Sequence, residues 1–150
     1  MDPALRQEII SILDDATDMT IATVREDGYP QATTVSYLND GFTIYFGCAA
    51  ASQKAKNLAR NNKVSLTVNL PYASWIEIRG LSIGGRAERV TEPQEMDQVY
   101  QLMFRKFPQI APYAPTPLEE IALFRVTPEF ISVLDYRKGF GHSDLVKVAG

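Results

Sequence analysis

Ser52, Gln53 and Lys54 are the residues whose types and spacing best suit chemistry, and the chemistry is the holding of an anion. They follow an apolar strand, Phe42–Phe46, and a stretch of small residues, Gly47–Ala51, and they open a short helix that runs to about Arg60. Ser52 is a natural N-cap, so the free backbone N–H groups of the next turn and the positive end of the helix dipole point the same way. Lys54 and Lys56 fall in that first turn, where an exposed cation costs about 0.3–1 kcal/mol unless an anion is present. Phosphate is the guest such a site favours. A plain capped helix with solvated lysines accounts for the same residues without one.

Other chemistry has fewer candidates. His142, the single histidine, lies in Gly139-Phe140-Gly141-His142-Ser143, whose glycines permit close approach of a ligand or a partner chain. An imidazole there suits proton donation near neutral pH, and a histidine with no role fits equally well. Cys48, the single cysteine, reads as a small buried residue rather than a redox thiol. One histidine and one cysteine cannot assemble a zinc cluster or a Ser-His-Asp arrangement, which makes hydrolytic and zinc chemistry poor hypotheses. Arg79, Arg86 and Arg89 could face a ligand groove or pair with Glu77 and Glu88, and the sequence leaves both open.

The chain that must position these groups has 150 residues and a formal net charge of −3, with 45% hydrophobic and 22% charged residues. That composition predicts one globular domain over residues 1–150 with its own core. The acidic balance argues against nucleic acid as a partner. No apolar run is long enough to cross a bilayer, so no membrane is expected. The start Met1-Asp2-Pro3 lacks the basic opening and apolar run of a signal peptide, and with the lone cysteine this gives a soluble, cytoplasmic expectation.

Periodicity supplies the elements. Leu5, Ile9, Ile12 and Leu13 form the buried stripe of a first helix. From Thr20 the period becomes two: strands Thr20–Val24 and Gln31–Leu38 flank an Asp27-Gly28 turn, and Asn39-Asp40-Gly41 turns into Phe42–Phe46, predicting a three-strand meander. Val64, Leu66 and Val68 mark a fourth strand, and Trp75–Ile78 with Leu81–Val90 a long fifth one. Gly80 and Gly84-Gly85 within it read as bends or bulges that let a sheet curl. A capping box, Thr91-Glu92-Pro93-Gln94, opens a helix carrying Met96, Val99, Tyr100, Met103 and Phe107, which Pro108 ends. Gln109–Pro117 reads as an irregular loop, Ile121–Thr127 and Phe130–Leu134 as strands broken at Pro128, and the tail from Asp135 as polar with two more glycines. Six or seven antiparallel strands with peripheral helices form a small β-barrel, classed mainly β or α+β.

Ile21–Val24, Asp27-Gly28-Tyr29-Pro30-Gln31, Val35-Ser36-Tyr37, Ile44–Phe46, Ser52–Leu58 and Gly80, in this order, resemble the pyridoxamine 5′-phosphate oxidase-like family of FMN-binding split barrels. The match runs approximately from Leu5 to Leu134, and its most specific part is the Asp-Gly-x-Pro hairpin combined with the downstream Ser-x-Lys helix start. The resemblance implies a six-stranded split barrel that forms a homodimer, with FMN in grooves between the subunits. It places the phosphate on Ser52, Gln53 and Lys54, with Thr33 and Thr34 facing the same pocket. It lays the backbone of Val35 and Ser36, with Phe46 and Gly47, along the ribityl chain and the ring. Trp75 matches a position where relatives set an aromatic residue against the neighbouring subunit's flavin, or else it fills the dimer interface. His142 becomes a possible flavin contact.

The chain also departs from the family pattern. Pyridoxamine phosphate oxidases carry an arginine and a lysine on the second strand as phosphate ligands, where this chain has Thr33 and, near the lysine, Ser36 or Tyr37. Its end does not resemble the substrate-binding C-terminus of those enzymes. The expectation is therefore an FMN-dependent oxidoreductase acting on a small molecule or electron donor, with a catalytic side chain not required. Alternatives are a non-catalytic flavin store or sensor, a deazaflavin binder, which would need extra basic groups, and a haem binder with His142 as its axial ligand.

Overall fold

The computed structural model describes residues 1–113 and 120–148. Among these, the order is α1 (Pro3–Asp15), β1 (Asp18–Val24), β2 (Pro30–Ser36), β3 (Leu38–Asp40), β4 (Thr43–Ala49), α2 (Gln53–Arg60), β5 (Lys63–Asn69), β6 (Arg79–Arg89), α3 (Pro93–Lys106), β7 (Ile121–Asp135) and β8 (Ser143–Lys147). Short 3-10 turns occupy Trp75–Glu77, Pro108–Tyr113 and Tyr136–Lys138. The rest of the predicted loop, 114–117, lies outside the described residues.

The strands form one antiparallel sheet in the order β2-β1-β5-β6-β7-β4-β3, with β8 added alongside β7. The sheet curls into the half-barrel of a split-barrel fold, as expected, with eight strands rather than six. β2 and β3 are consecutive in the chain yet sit at opposite edges, so the expected meander does not form: β1 pairs β2 and β3 pairs β4, with no β2–β3 ladder. The single strand predicted over Gln31–Leu38 divides at Tyr37. Its side chain is buried and its hydroxyl donates to the Leu13 carbonyl at 2.6 Å, fixing the crossing point against the end of α1. Alternation runs unbroken through Tyr37 because period two reports which face a residue takes, not which strand it pairs with.

The α1 stripe fills the interior: Ile9, Ile12 and Leu13 are fully buried against Ile21, Leu66, Ile83 and Val133 from the sheet. α3 covers the outside of β3 and β4 through Val99, Leu38, Tyr45 and Leu123. Arg125 and Tyr45 both hydrogen-bond Glu95 on α3, at 2.6 and 2.9 Å. The guanidinium holds the Glu95 carboxyl below its usual range, while burial and then Glu95 push the Tyr45 hydroxyl up to about 12. The capping box is not used: Glu92 is the N-cap, without a side-chain bond, and Pro93 takes the first turn.

The bend at Gly84-Gly85 is real, but the extra residue belongs to the facing strand. Gly84 pairs Phe130 and Gly85 pairs Pro128, leaving Glu129 to bulge out. A bulge is where a strand accommodates a residue with no N–H, so β7 runs continuously through Pro128 instead of breaking there. The polar tail contributes a strand the sequence reading did not assign, β8, whose Val146 packs inward while Leu145 faces out.

Candidate functional site

α2 begins as the sequence indicates. The Ser52 hydroxyl accepts from the Ala55 N–H at 3.2 Å and the Ser52 carbonyl takes the Lys56 N–H, so the N–H groups of Gln53 and Lys54 are the first-turn donors left over. Asn57, which the sequence reading passed over, fixes the helix. It is almost fully buried, accepts from Gln53 at 2.8 Å, and donates to Thr23 at 3.0 Å and Gln31 at 3.1 Å. An asparagine between Ala55 and Leu58 on the inward face was the available signal, since a buried amide must find partners. Gln53 is therefore engaged in positioning α2, while Lys54 and Lys56 make no ion pair among the described residues.

Alternation along β2 separates the strand candidates. Gln31, Thr33 and Val35 lie on the half-buried face, and Thr34 and Ser36 on the exposed one, so Thr33 and Thr34 do not face one pocket. The Thr34 hydroxyl is 3.5 Å from that of Thr20 on the outer surface. The Thr33 hydroxyl is buried without a hydrogen-bond partner, on the same face of β2 as Gln31, whose side chain reaches α2. An orphaned buried hydroxyl fits a bound group with acceptor oxygens. The Phe46 side chain is fully buried and stacks on Phe124 with ring centroids 5.4 Å apart. Gly47 is in β4, and a Cβ there would come within 3.3 Å of the Leu123 side chain, which would have to give by a few tenths of an ångström to admit it. Cys48 is half-buried, packed against the core.

Trp75 is not on a strand: it sits in the 3-10 turn before β6, 67% exposed, 6.1 Å from the Phe140 ring. His142, just before β8, places Nε2 3.0 Å from Asp144. That corner is clamped by charge. Glu8 of α1 faces Lys138, Arg137 and Arg79, and Asp135, nearly fully buried, takes a two-pronged bond from Arg137 at 2.9 Å. The Arg137 bonds hold the Asp135 carboxyl well below its usual range. Arg79 thus pairs with Glu8, and Arg86 with Glu129 at 3.0 Å, rather than with Glu77 or Glu88. The α2 start and the Trp75–Phe140 corner lie at opposite ends of the sheet: α2 follows the Ala49–Ile121 end of the β4–β7 ladder, and the Trp75 turn leads into the Arg79–Asp135 end of the β6–β7 ladder. Among the described residues no cluster of His, Cys, Asp or Glu could hold a metal ion, and no helix is long and apolar enough to cross a membrane.

Comparison with known proteins agrees with the fold. A family model described as pyridoxamine 5′-phosphate oxidase matches residues 5–135. A pyridoxine/pyridoxamine 5′-phosphate oxidase of Vibrio vulnificus is 38% identical over 96 residues, which are 61% of this chain and 42% of that protein. The match therefore spans less than half the length of the curated relative. Among solved structures, a conserved hypothetical protein of Mycobacterium tuberculosis is 28% identical with a TM-score of 0.78, over 100% of this chain and 93% of that one. A heme binding protein of Mycobacterium smegmatis is 18% identical with a TM-score of 0.82, over 98% of this chain and 59% of that one.

Proposed function

The chain belongs to the pyridoxamine 5′-phosphate oxidase family, and on that premise we propose that it binds FMN and acts as an oxidoreductase on a small molecule, as a homodimer whose flavin sites lie between the subunits. The observation that carries the reading is the start of α2: leftover N–H groups at Gln53 and Lys54, a cap at Ser52, and cations without ion pairs among the described residues, with the unpartnered Thr33 hydroxyl on the strand that α2 is tied to. Ser52, Lys54 and the two backbone N–H groups would hold the phosphate. Thr33 would offer its hydroxyl to an acceptor oxygen. When bound, the flavin supplies hydride or electron exchange, and the chain supplies binding and electrostatics. Absorption and fluorescence titration with FMN, FAD and riboflavin tests this. Saturable FMN binding with riboflavin far weaker is expected; equal affinity for both would remove the phosphate site. Turnover of a reduced nicotinamide by the loaded protein then separates an enzyme from a flavin carrier.

A haem reading has its own observation. His142 pairs with Asp144 and lies two residues from Phe140, which meets Trp75 at an exposed aromatic edge. A Soret band on adding hemin, lost in His142→Ala, would favour it; no Soret band with intact FMN binding excludes it.

A further inference from the structure

We propose a second ligand site in this chain, in the groove between the C-terminal half of α2 and the end of β6, which takes a small flat molecule carrying a carboxylate. The groove has a volume of about 530 Å³, within the range of small-molecule sites, and none of Ser52, Gln53, Lys54 or Thr33 lines it. Its floor is apolar, made by the buried Ala55, Leu58, Ala87 and Phe124, with the exposed Ala59 beside it, a surface suited to the face of a flat ring.

The polar lining is dominated by donors. The Asn61 side-chain oxygen already accepts the Lys63 N–H at 3.1 Å, and that of Asn62 accepts from Arg86 at 3.4 Å, so both amides have their NH₂ ends to offer. Arg60 gives one bond to the Val24 carbonyl and keeps its remaining N–H groups. Arg89 is exposed, makes no ion pair among the described residues, and borders both this groove and a smaller depression of about 290 Å³ beside Met96 and Ile121. Glu88 is the one carboxylate on the rim. The last carbonyls of α2 oppose an anion at the helix end, which puts the carboxylate at Arg89, on β6, where a guanidinium can grip it through two parallel bonds. A ring over the alanines with its carboxylate on Arg89 satisfies both halves of the groove.

Titration of the 150-residue chain with 1-naphthoate, followed by amide chemical shifts, tests the proposal. Saturable shifts are expected at Ala59, Ala87 and Arg89 with those of Gln53 and Lys54 unmoved. Arg89→Gln should weaken naphthoate binding about tenfold without changing FMN affinity, Ala59→Phe should block the groove, and 1-naphthalenemethanol should bind at least tenfold more weakly than the acid. Shifts confined to the Trp75 corner, equal affinity for acid and alcohol, or no saturable shift would overturn it. Displacement by FMN would assign the groove to the flavin and overturn the claim of a second site. Groove resonances that move on dilution instead of with ligand would show that a second copy covers it, which also overturns the proposal. A chain that binds naphthoate but not FMN would leave the groove standing while the flavin reading fell.

Discussion

Lys54 and Asn57 occupy neighbouring turns of α2 and should fail in different ways. Lys54 is half-buried, in a turn where a cation without an anion is disfavoured, so removing its charge should spare the fold and weaken the ligand. Lys54→Ala is expected to lower FMN affinity by about 1.5–3 kcal/mol, roughly ten- to a hundredfold, with the melting temperature of the free protein unchanged. Asn57→Ala should do the reverse first: it strands the partners it bonds on Thr23, Gln31 and Gln53 and should cost about 2–3 kcal/mol of stability in chemical denaturation. Asp135 gives a pH signature. Its carboxyl titrates below the ordinary 3.8, chiefly because Arg137 bonds the charged form. The pair's contribution is therefore whole above the unfolded value and is lost as pH falls from there through the lowered folded value. Asp135→Asn should flatten the loss of stability on the acid side, measured as melting temperature between about pH 5 and 2, and an unchanged acid slope would place that loss elsewhere. The Ser52 cap and the place of Lys54 in the first turn were legible in the sequence because capping chemistry is local. That Thr33 and Thr34 take opposite faces follows from period two, but which of them faces inward was not legible, because it depends on what packs against the strand.

The paired glycines of β6 show how an element is read and misread. Their presence pointed to a bend, and the bend is there, yet each glycine is small for a different reason. A Cβ on Gly84 would strike the ring of Phe130 at 2.1 Å, but that ring is 48% exposed and can swing outward. A Cβ on Gly85 would meet the Thr127 carbonyl oxygen at 2.5 Å, and the backbone of a central strand cannot retreat. Gly85→Ala should therefore cost about 1–3 kcal/mol in urea unfolding and Gly84→Ala clearly less; equal losses would mean that the bulge adjusts as a unit. The same strand pair explains the reading of Pro128 as a break, since proline ends a regular ladder but not one that already carries an extra residue. β8 left little trace in sequence because its five residues, Ser143–Lys147, hold one buried side chain, Val146, and strand pairing does the rest.

Seen whole, the molecule places its two sets of sequence-identified residues apart: α2 with the inner face of β2, and the Trp75–Phe140 corner held by the Glu8 charge network. Local pattern could list both sets but could not say how far apart they lie, since strand order depends on pairings that periodicity does not encode; the chain crosses from one edge of the sheet to the other at Tyr37, a residue that reads as ordinary strand. On the proposed reading, a second chain brings aromatic groups like those of the corner to a flavin gripped by α2. The homodimer reading therefore makes affinity depend on concentration. If a partner completes the site, FMN at a hundred times its dissociation constant should stabilise the dimer by about 2.7 kcal/mol, and that gain should fade as the protein is diluted through the dimer's own dissociation range. Sedimentation velocity with detection at the flavin absorbance reads both at once. The expected result is flavin travelling with a species of twice 16.7 kDa and released as that species dissociates. Flavin that stays with the single chain on dilution would place the whole site inside one subunit, where α2 and β2 alone would have to hold it.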